Sequence, residues 1–442
     1  MTDTPRSPKG ATFVMPNPPS TLQHFTLANG LRVYLREDRR APLVSIQLWY
    51  HVGASYEPAG QSGLSHALEH LMFEGSSKLA PGEYTSLMIL IGGEPNAFTT
   101  VDATVYPLTV PSHRVEIPLE AMADAMASAS FEEAPFTRER DIVLSERRKN
   151  VDNNPLASAI EAHEALAHGS SPYASPVIGH RADLEQLTSA TTRSWKQTWY
   201  HPNNATLAVA GSIGLEQLQA MVERHFADIA QAELPAAAQP RQDAVLAKRT
   251  QTVSKPGLRD GVLMSFNVPS RATASSTEQA LALSLLPDLL CDGYGARLRR
   301  LLINDETILL NMSCKYASLS RGDTLFSIYA YTNPSKGSQQ EAAERLFAEL
   351  GKLAETGPTQ AELERARARL LARQVFGRDN IANQAAAIGE FAVGGLDPLL
   401  MDNDAQGLKA VTLEHVKEAA AQFLREDLQT ITFLQTEESR DD

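Results

Sequence analysis

Cysteine is scarce in this sequence, and long apolar runs are absent from it. Cys291 and Cys314 are the only cysteines, which is too few for a disulfide framework or for a metal site built from thiolates. We therefore expect two buried thiols in a reducing compartment and no disulfide. No stretch approaches the ~18 apolar residues of a transmembrane helix, which argues against a membrane protein.

Positive charge is also in deficit. The net charge is −13 at pH 7, and basic runs are short and mixed with acidic residues, so nucleic acid is not an expected partner. Residues 1–19 are polar and rich in proline, without the apolar core of a signal peptide. On this basis we expect a cytoplasmic location.

Two histidines and a glutamate lie within five residues of one another. If residues 63–73 form a helix, His66 and His70 lie one turn apart on one face, with Glu69 beside them. Two neutral imidazoles in this arrangement suit a zinc ion, and a neighbouring carboxylate can take a proton from water on the metal. The alternative is a surface helix that carries the three residues by chance, so a third ligand is needed. The opposite face of this helix is apolar and predicted to face a core; it contains Leu64, Leu68, Leu71 and Met72.

A later helix, predicted over residues 137–151, has a mixed face. Glu139, Ile142, Val143 and Glu146 share this face through their i, i+3, i+4 and i+7 spacing. Unpaired buried carboxylates are costly, so such a face binds a cation, meets an arginine, or is less buried than its pattern indicates. The helix alone leaves these alternatives open.

The chain is long enough for two domains, at 442 residues. When Leu184 is aligned with Leu408, Thr188 pairs with Thr412 and the following residues match in type, which indicates an internal duplication. Each half begins with strands, continues with helices and ends with a strand, which is typical of an α+β fold.

These patterns predict the domain organisation. We expect a flexible N-terminal arm at 1–20, a first domain with the candidate metal ligands at 21–230, a linker rich in Ala, Pro and Gln at 231–248, and a homologous second domain without a metal site at 249–442. Ten of the eleven histidines precede the linker. This distribution excludes a second histidine metal site in the later half.

The motifs around the two histidines resemble those of the pitrilysin family of zinc peptidases, the inverzincins, which carry His-x-x-Glu-His. The resemblance is strong from Leu22 to about Gly211 and weak in the second half, where it rests on residues 292–298. It implies two homologous α/β-sandwich halves, each a mostly antiparallel sheet with helices packed on one face. The matching segments of the first half are 52–58, 66–70, 73–75, 92–93, 96–99, Glu139 with Glu146, 172–173 with Gly179, and 200–204.

The resemblance also implies a catalytic site. His66, His70 and Glu146 would be the zinc ligands, Glu69 the base that activates water on the zinc, and Glu139 a carboxylate that orients a ligand. The strand at residues 96–100 would form an open sheet edge to which a peptide substrate adds as another strand. The residues that would bind this peptide are Asn96, Ala97, Phe98 and Thr99.

One feature of related peptidases is missing from the second half. In those peptidases, an arginine and a tyrosine seven residues apart in the second half help to stabilise the developing oxyanion. In this chain the corresponding positions hold Ile303 and Leu310, which cannot donate hydrogen bonds. Arg321 and Tyr329 come nearest to the required spacing but do not match it. We therefore expect a zinc endopeptidase that is the catalytic subunit of a heterodimer, with a homologous partner subunit supplying the pair. The alternative is a non-catalytic zinc-containing assembly or peptide-binding subunit, and the intact Glu69 favours the enzyme.

Overall fold

The computed structural model describes residues 21–243 and 246–437, and its strands form two sheets. The predicted N-terminal arm, residues 1–20, lies outside the described residues. The first sheet contains β1 (Gln23–Thr26), β2 (Arg32–Glu37), β3 (Leu43–Tyr50), β4 (Phe98–Thr99), β5 (Thr104–Pro111) and β6 (Ala205–Gly211). The second sheet contains β7 (Arg249–Lys255), β8 (Gly261–Val268), β9 (Leu309–Tyr316), β10 (Thr324–Thr332) and β11 (Gln429–Thr436).

Helices follow the strands in a matching order in the two halves. The helices of the first half are α1 (Leu64–Leu71), α2 (Glu83–Leu90), α3 (Glu116–Ser128), α4 (Glu133–Arg147), α5 (Pro155–His168), α6 (Arg181–Leu184), α7 (Ser189–Trp199) and α8 (Leu215–Phe226). Those of the second half are α9 (Thr277–Leu290), α10 (Gln339–Thr356), α11 (Gln360–Gly377), α12 (Ile381–Val393), α13 (Asp404–Ala410) and α14 (Leu413–Phe423). Among the described residues, no helix combines the length and the apolar character that a membrane crossing requires.

The two sheets have the same topology. Their strand orders are β1-β2-β6-β3-β5-β4 and β7-β11-β8-β10-β9. Each has one parallel pair, β2 with β6 and β7 with β11, and its other neighbouring strands are antiparallel. Among the described strands, β1 at the edge of the first sheet has no counterpart in the second sheet. The predicted α+β fold with two homologous halves is confirmed.

The internal repeat is visible in the details of the chain. Helices α7 and α14 both begin at a threonine, Thr188 and Thr412, whose side chain closes a capping box. A single 3-10 turn follows each helix, at Pro202–Asn204 and Glu426–Leu428, and leads into a central strand. The predicted domain boundaries around residues 231–248 stay a prediction.

Each half contributes one helix that packs on the sheet of the other half. Helix α12 packs on β3 and β6 of the first sheet, and α5 packs on β7, β8 and β11 of the second sheet. Strands β6 and β8 are therefore buried at every residue, because both faces of each sheet are covered. Along β6, Leu207 and Val209 join the core formed with the first half's own helices, whereas Ala208 and Ala210 pack with Ile388 of α12.

The two cysteines depart from expectation. Cys291 directly follows α9 and Cys314 lies on β9, with their Cα atoms 5.8 Å apart, and the two are joined by a disulfide. The prediction of two free thiols is wrong, because α9 and β9 pack side by side, a contact that the spacing of the residues along the chain does not show. Cysteine content therefore no longer supports a reducing compartment.

Candidate metal centre

Helix α1 presents the two predicted histidine ligands on one face. The ring centroids of His66 and His70 are 4.9 Å apart, as expected for side chains one turn apart. The opposite face is buried in the core of the first half, so the predicted amphipathic helix is confirmed. The buried residues of that face are Leu64, Leu68, Leu71 and Met72.

The N-terminus of α1 is held by a carboxylate and by a close glycine contact. Glu57 accepts hydrogen bonds from the backbone N–H of Gly63 at 2.8 Å and of Ser65 at 2.6 Å, which satisfies donors that the first turn leaves unpaired. Gly63 has a φ of +84°, and a Cβ on Gly179 would lie 2.5 Å from the carbonyl oxygen of Ser62. These contacts explain why glycine suits both positions beside α1.

Helix α4 packs against α1 and presents two carboxylates to it. Glu139 and Val143 are buried, and Glu146 is partly exposed. Ile142, which we predicted on the same face, is 40% exposed. The side chain of Glu146 is exposed to the same extent, so this face is less buried than its apolar residues indicate, which was one of the alternatives that the sequence left open.

Three predicted ligands converge between α1 and α4. The Oε2 atom of Glu146 lies 3.7 Å from Nε2 of His66 and 3.8 Å from Nε2 of His70. A ligand atom from each of the three residues lies within 4.8 Å of the others. In a tetrahedral zinc site with bonds of about 2.0–2.1 Å, ligand atoms are ~3.4 Å apart. The residues therefore fit a zinc ion in donor type, number and spacing.

A buried arginine fixes the end of α4 beside Glu146. Arg147 donates to Glu161 through both Nη atoms, at 2.8 and 2.7 Å, to Asp152 at 3.0 Å and to the carbonyl oxygen of Gly179 at 2.8 Å. In the sequence, Arg147 stands only in a short basic run with Arg148 and Lys149, which indicates no buried role. Its partners on α5 and in the segment before α6 could not be identified from sequence spacing.

Burial shifts the pKa values of two side chains on α1, His66 and Glu69, in directions that suit a metal ligand and a proton acceptor. Burial, and then the charge of His70, lowers the pKa of His66 to about 4, so this imidazole is neutral at pH 7. Burial raises the pKa of the Glu69 carboxyl; the Thr99 hydrogen bond and His70 oppose this shift, and Glu146 adds to it. The hydroxyl of Thr99 donates to Oε2 of Glu69 at 2.6 Å.

The two histidines differ in the partner of their second nitrogen. Nδ1 of His70 lies 3.2 Å from Oε2 of Glu139, which leaves Nε2 directed towards Glu146. Nδ1 of His66 is buried and has no hydrogen-bond partner among the described residues. Glu139 is itself held by Nε of Arg138 at 3.3 Å. The structure thus brings Glu139 to the position from which it can orient a ligand.

A cavity of about 330 Å³ connects this centre with the predicted peptide-binding segment. Its lining includes Glu69, His70 and Glu139 on one side and Asn96 and Ala97 on the other. The predicted base therefore faces the same space as two of the predicted substrate residues.

The predicted edge strand is shorter than expected. Strand β4 spans only Phe98–Thr99, because the backbone N–H of Thr100 bonds to the carbonyl oxygen of Ala103 in a tight turn. Within the described part of the chain, β4 pairs with β5 and ends the first sheet, so its outer edge is open. Phe98 is 39% exposed and contacts Trp49 edge to face.

Arg321 lies in a contact between the halves and not beside the two histidines. Its backbone N–H donates to Asp102 at 3.0 Å, its Nη2 donates to Ser55 at 3.1 Å, and its guanidinium lies 4.2 Å from the ring centroid of Tyr56. Tyr173 donates to the same Asp102 at 2.6 Å. This buried network, which the sequence analysis missed, ties the turn after β4 to the second half.

The other residues considered for the missing pair are also accounted for. Tyr329 lies on β10, in a cavity beside α5. Ile303 is in the π-helical segment Arg299–Asp305, and Leu310 is 60% exposed on β9, the last strand of the second sheet. Both positions of the expected pair hold apolar side chains.

Comparisons with known proteins identify the family of this chain. Residues 32–180 match the family model described as Insulinase (Peptidase family M16), and residues 186–370 match the model described as Peptidase M16 inactive domain. The chain belongs to the M16, or pitrilysin, family of peptidases. The sequence resemblance to this family is thereby confirmed.

Two relatives match over most of the chain, and a third matches over less than half of it. Zinc protease PqqE of Helicobacter pylori is 28% identical over 87% of this chain and 85% of its own length. A solved protease structure from Helicobacter pylori has a TM-score of 0.87 and 25% identity, over 94% of this chain and 99% of that one. A probable mitochondrial-processing peptidase subunit beta of Arabidopsis thaliana is 27% identical over 46% of this chain and 38% of its own length.

Proposed function

We propose that this M16 protein is a zinc-dependent endopeptidase that cleaves peptides or unfolded segments as the catalytic subunit of a heterodimer. The observation that carries the proposal is the convergence of His66, His70 and Glu146 within 4.8 Å of one another, beside the carboxyl of Glu69. The relatives named as zinc proteases support the same chemistry.

The chain's own residues divide the work in this proposal. His66, His70 and Glu146 would hold the metal, which when bound supplies a Lewis acid and lowers the pKa of a water molecule. Glu69 would accept the proton of the attacking water and deliver it to the leaving nitrogen, since burial raises the pKa of its carboxyl and so favours proton uptake.

Two further residues would keep these groups in position. Thr99 orients the Glu69 carboxylate through its hydroxyl, and Glu139 accepts from Nδ1–H of His70 and so fixes the tautomer that leaves Nε2 free. Thr99 thus supports the base with its side chain and borders the peptide with its backbone.

An extended peptide would bind at the open edge of β4. Asn96, Ala97, Phe98 and Thr99 would pair with it mainly through backbone groups, so selectivity for side chains would be loose. The cavity shared by Asn96, Ala97 and Glu69 would place the scissile bond near the base.

A partner would supply the oxyanion donors. Ile303 and Leu310 cannot donate hydrogen bonds, and the guanidinium of Arg321 already donates to Asp102 and Ser55. The relative named as a processing peptidase subunit supports an assembly of related chains. A homologous subunit with an arginine and tyrosine pair would therefore face this chain across a shared cavity.

The base is tested by Glu69→Gln, which keeps the shape of the side chain but cannot take a proton. We expect zinc to stay bound and peptide hydrolysis to fall by at least about 10²-fold, the usual scale for loss of a general base. The matched control is Glu120→Gln on α3, where a partly exposed carboxylate forms a surface ion pair with Lys78. Hydrolysis above about a tenth of the parent rate would remove Glu69 from this role.

The partner is tested by measuring hydrolysis of a mixed peptide library with and without the homologous subunit that co-purifies with the native protein. We expect slow cleavage by the isolated chain and an increase of about 10²-fold or more on addition of the partner, the scale of an oxyanion donor. Full activity in a verified monomer or homodimer would contradict the heterodimer. Zinc binding without hydrolysis in the complete assembly would instead favour the non-catalytic subunit.

A further inference from the structure

The turn at residues 100–103, which directly follows β4, is held by a buried contact with the second half. Asp102 lies in this turn and is 4% exposed. Its carboxylate accepts hydrogen bonds from the hydroxyls of Ser55 at 2.9 Å and of Tyr173 at 2.6 Å. Arg321 of the second half adds its backbone N–H at 3.0 Å and its Nε at 3.4 Å. In the described part of the chain, Arg321 is the only cation paired with this carboxylate.

Arg321 is itself fixed in place. It belongs to the loop between β9 and β10, residues 317–323. Its Nη1 donates to the carbonyl oxygen of Ala238 at 2.7 Å, and its side chain is largely buried. A Cβ on the next residue, Gly322, would collide with the carbonyl oxygen of Pro240, so only glycine lets the loop lie this close to the segment before β7. The guanidinium therefore has little freedom to leave its contact with the first half.

The same contact reaches the edge strand β4. The backbone N–H of Ser55, whose hydroxyl binds Asp102, donates to the carbonyl oxygen of Val101 in the turn at 2.7 Å. Strand β4 ends at Thr99, directly before the turn, and the hydroxyl of Thr99 donates to the carboxylate of Glu69. The position of the turn therefore helps to decide where β4 lies relative to the candidate base.

Strand β4 has few contacts of its own that could fix this position. It pairs with β5 at two residues, Phe98 with Val105 and Thr99 with Thr104. Its other edge is open within the described residues. A strand of two residues is shorter than an ordinary strand and has too few ladder hydrogen bonds to be rigid by itself. Its geometry therefore depends on the turn that follows it.

We propose that Arg321 is a positioning residue for peptide hydrolysis. Through Asp102 it holds the turn at residues 100–103, and so keeps the peptide-binding edge of β4 in place beside Glu69. The inference rests on the proposed function, because it concerns the same edge strand. A buried carboxylate without its cation draws in water, and Asp102 reaches water only when the turn moves outwards. The second half thus contributes to peptide binding through a contact between the halves.

The first test is hydrogen exchange of the full chain, which needs no substrate. Arg321→Gln removes the cation and keeps a polar side chain. We expect the backbone amides of residues 96–103 to exchange at least about 10-fold faster than in the parent, because the turn opens more often. Amides of β6, in the middle of the same sheet, should exchange as in the parent. Unchanged exchange at residues 96–103 in the folded variant would overturn the proposal.

The second test is hydrolysis, by the complete assembly, of a peptide that the parent cleaves. In Arg321→Gln the KM should rise at least about 10-fold and kcat should fall less, because the binding edge is displaced while the metal ligands stay on α1 and α4. Zinc affinity should not change. Arg321→Lys keeps the positive charge and should restore most of the change in KM. If Arg321→Gln fails to fold, judged by circular dichroism, Ser55→Ala, which removes a hydrogen bond from Asp102, decides by the same two measurements.

The matched control is Arg297→Gln, which breaks an ion pair of similar burial with Glu362 inside the second half. It should lower the Tm as Arg321→Gln does, but leave the KM and the exchange of residues 96–103 at the parent values. An equal rise in KM in both variants, or faster exchange in Arg321→Gln without a rise in KM, would overturn the positioning role. A parent assembly that cleaves no peptide would contradict the proposed function, whereas the exchange experiment would still decide whether Arg321 holds β4.

Discussion

In the first half α1 packs on α4, and in the second half α9, which holds the matching place after β8, packs on α11. Between α1 and α4, two imidazoles face the carboxylates of Glu139 and Glu146. Between α9 and α11, the inaccessible carboxylate of Asp288 accepts from Arg369 at 3.2 Å and from Arg373 at 2.8 Å. Each helix pair thus places carboxylates in the interface between its two helices.

The difference lies in the source of the cation. The second half carries its own arginines, whereas Glu146 has only the two histidines within ion-pairing distance among the described residues. The imidazole of His66, neutral at pH 7, cannot balance this carboxylate, so the first half has the charge and the ligands for an external cation. The same arrangement of two packed helices can therefore place its carboxylates against arginines of the chain or against ligands for a metal.

Zinc affinity should change most when the carboxylate of Glu146, the proposed metal ligand, is removed. Glu146→Gln should lower zinc affinity at least about 100-fold, because a charged ligand becomes neutral. Glu139→Gln should lower zinc affinity less, about 10-fold, and lower the hydrolysis rate more than the affinity, because it acts through His70. Competition with a chelator measures the affinity, with Glu133→Gln on the same helix as the control. Equal zinc affinity in Glu146→Gln and the parent would contradict the ligand set.

A smaller effect is expected from the corresponding ion pair of the second half. Asp288→Asn should lower the free energy of unfolding by about 2–3 kcal/mol, below the 3–5 kcal/mol of a fully buried pair because the arginines are half exposed and can turn to water. Zinc affinity should not change. Denaturant unfolding measures the stability, and Asp292→Asn, whose carboxylate is partly exposed, is the milder control. A loss of zinc affinity in Asp288→Asn would show that the halves are not independent in this respect.

Between pH 7 and 5 a further effect, on the pH dependence of stability, concerns helix α5. His163 is buried against the second sheet, with Nδ1 2.8 Å from Oγ1 of Thr432 and Nε2 2.7 Å from Oγ of Ser265. Burial, with smaller effects of His168 and Arg249, lowers the pKa of His163 to about 3. The unfolded chain therefore takes up this proton at a higher pH than the folded one.

Stability linked to His163 is complete above the unfolded pKa of about 6.5 and is lost as pH falls towards 3, by about 1.4 kcal/mol per pH unit. We expect unfolding free energies measured between pH 7 and 5 to fall more steeply in the parent than in His163→Gln. His113→Gln, at an exposed position, should retain the parent slope. Equal slopes in the parent and His163→Gln would show that His163 is not the group responsible.

The fold, and the part of the metal centre on α1, could be predicted because the sequence features that indicate them lie within a few residues of one another. The spacing of His66, Glu69 and His70 places them together on any helix, and the apolar stripe decides which side faces the core. The capping threonines Thr188 and Thr412 mark the repeat by a short-range hydrogen bond. For such features, the backbone conformation alone decides which side chains meet.

Other features depend on how distant segments pack. The helical period of the sequence aligns Glu139 with Glu146, but only the packing of α4 on α1 brings Glu146 within 3.8 Å of the histidines. The disulfide between Cys291 and Cys314 arises in the same way. The physical reason is that helical and strand periods repeat over a few residues, whereas these contacts depend on side-chain packing between elements far apart in the chain.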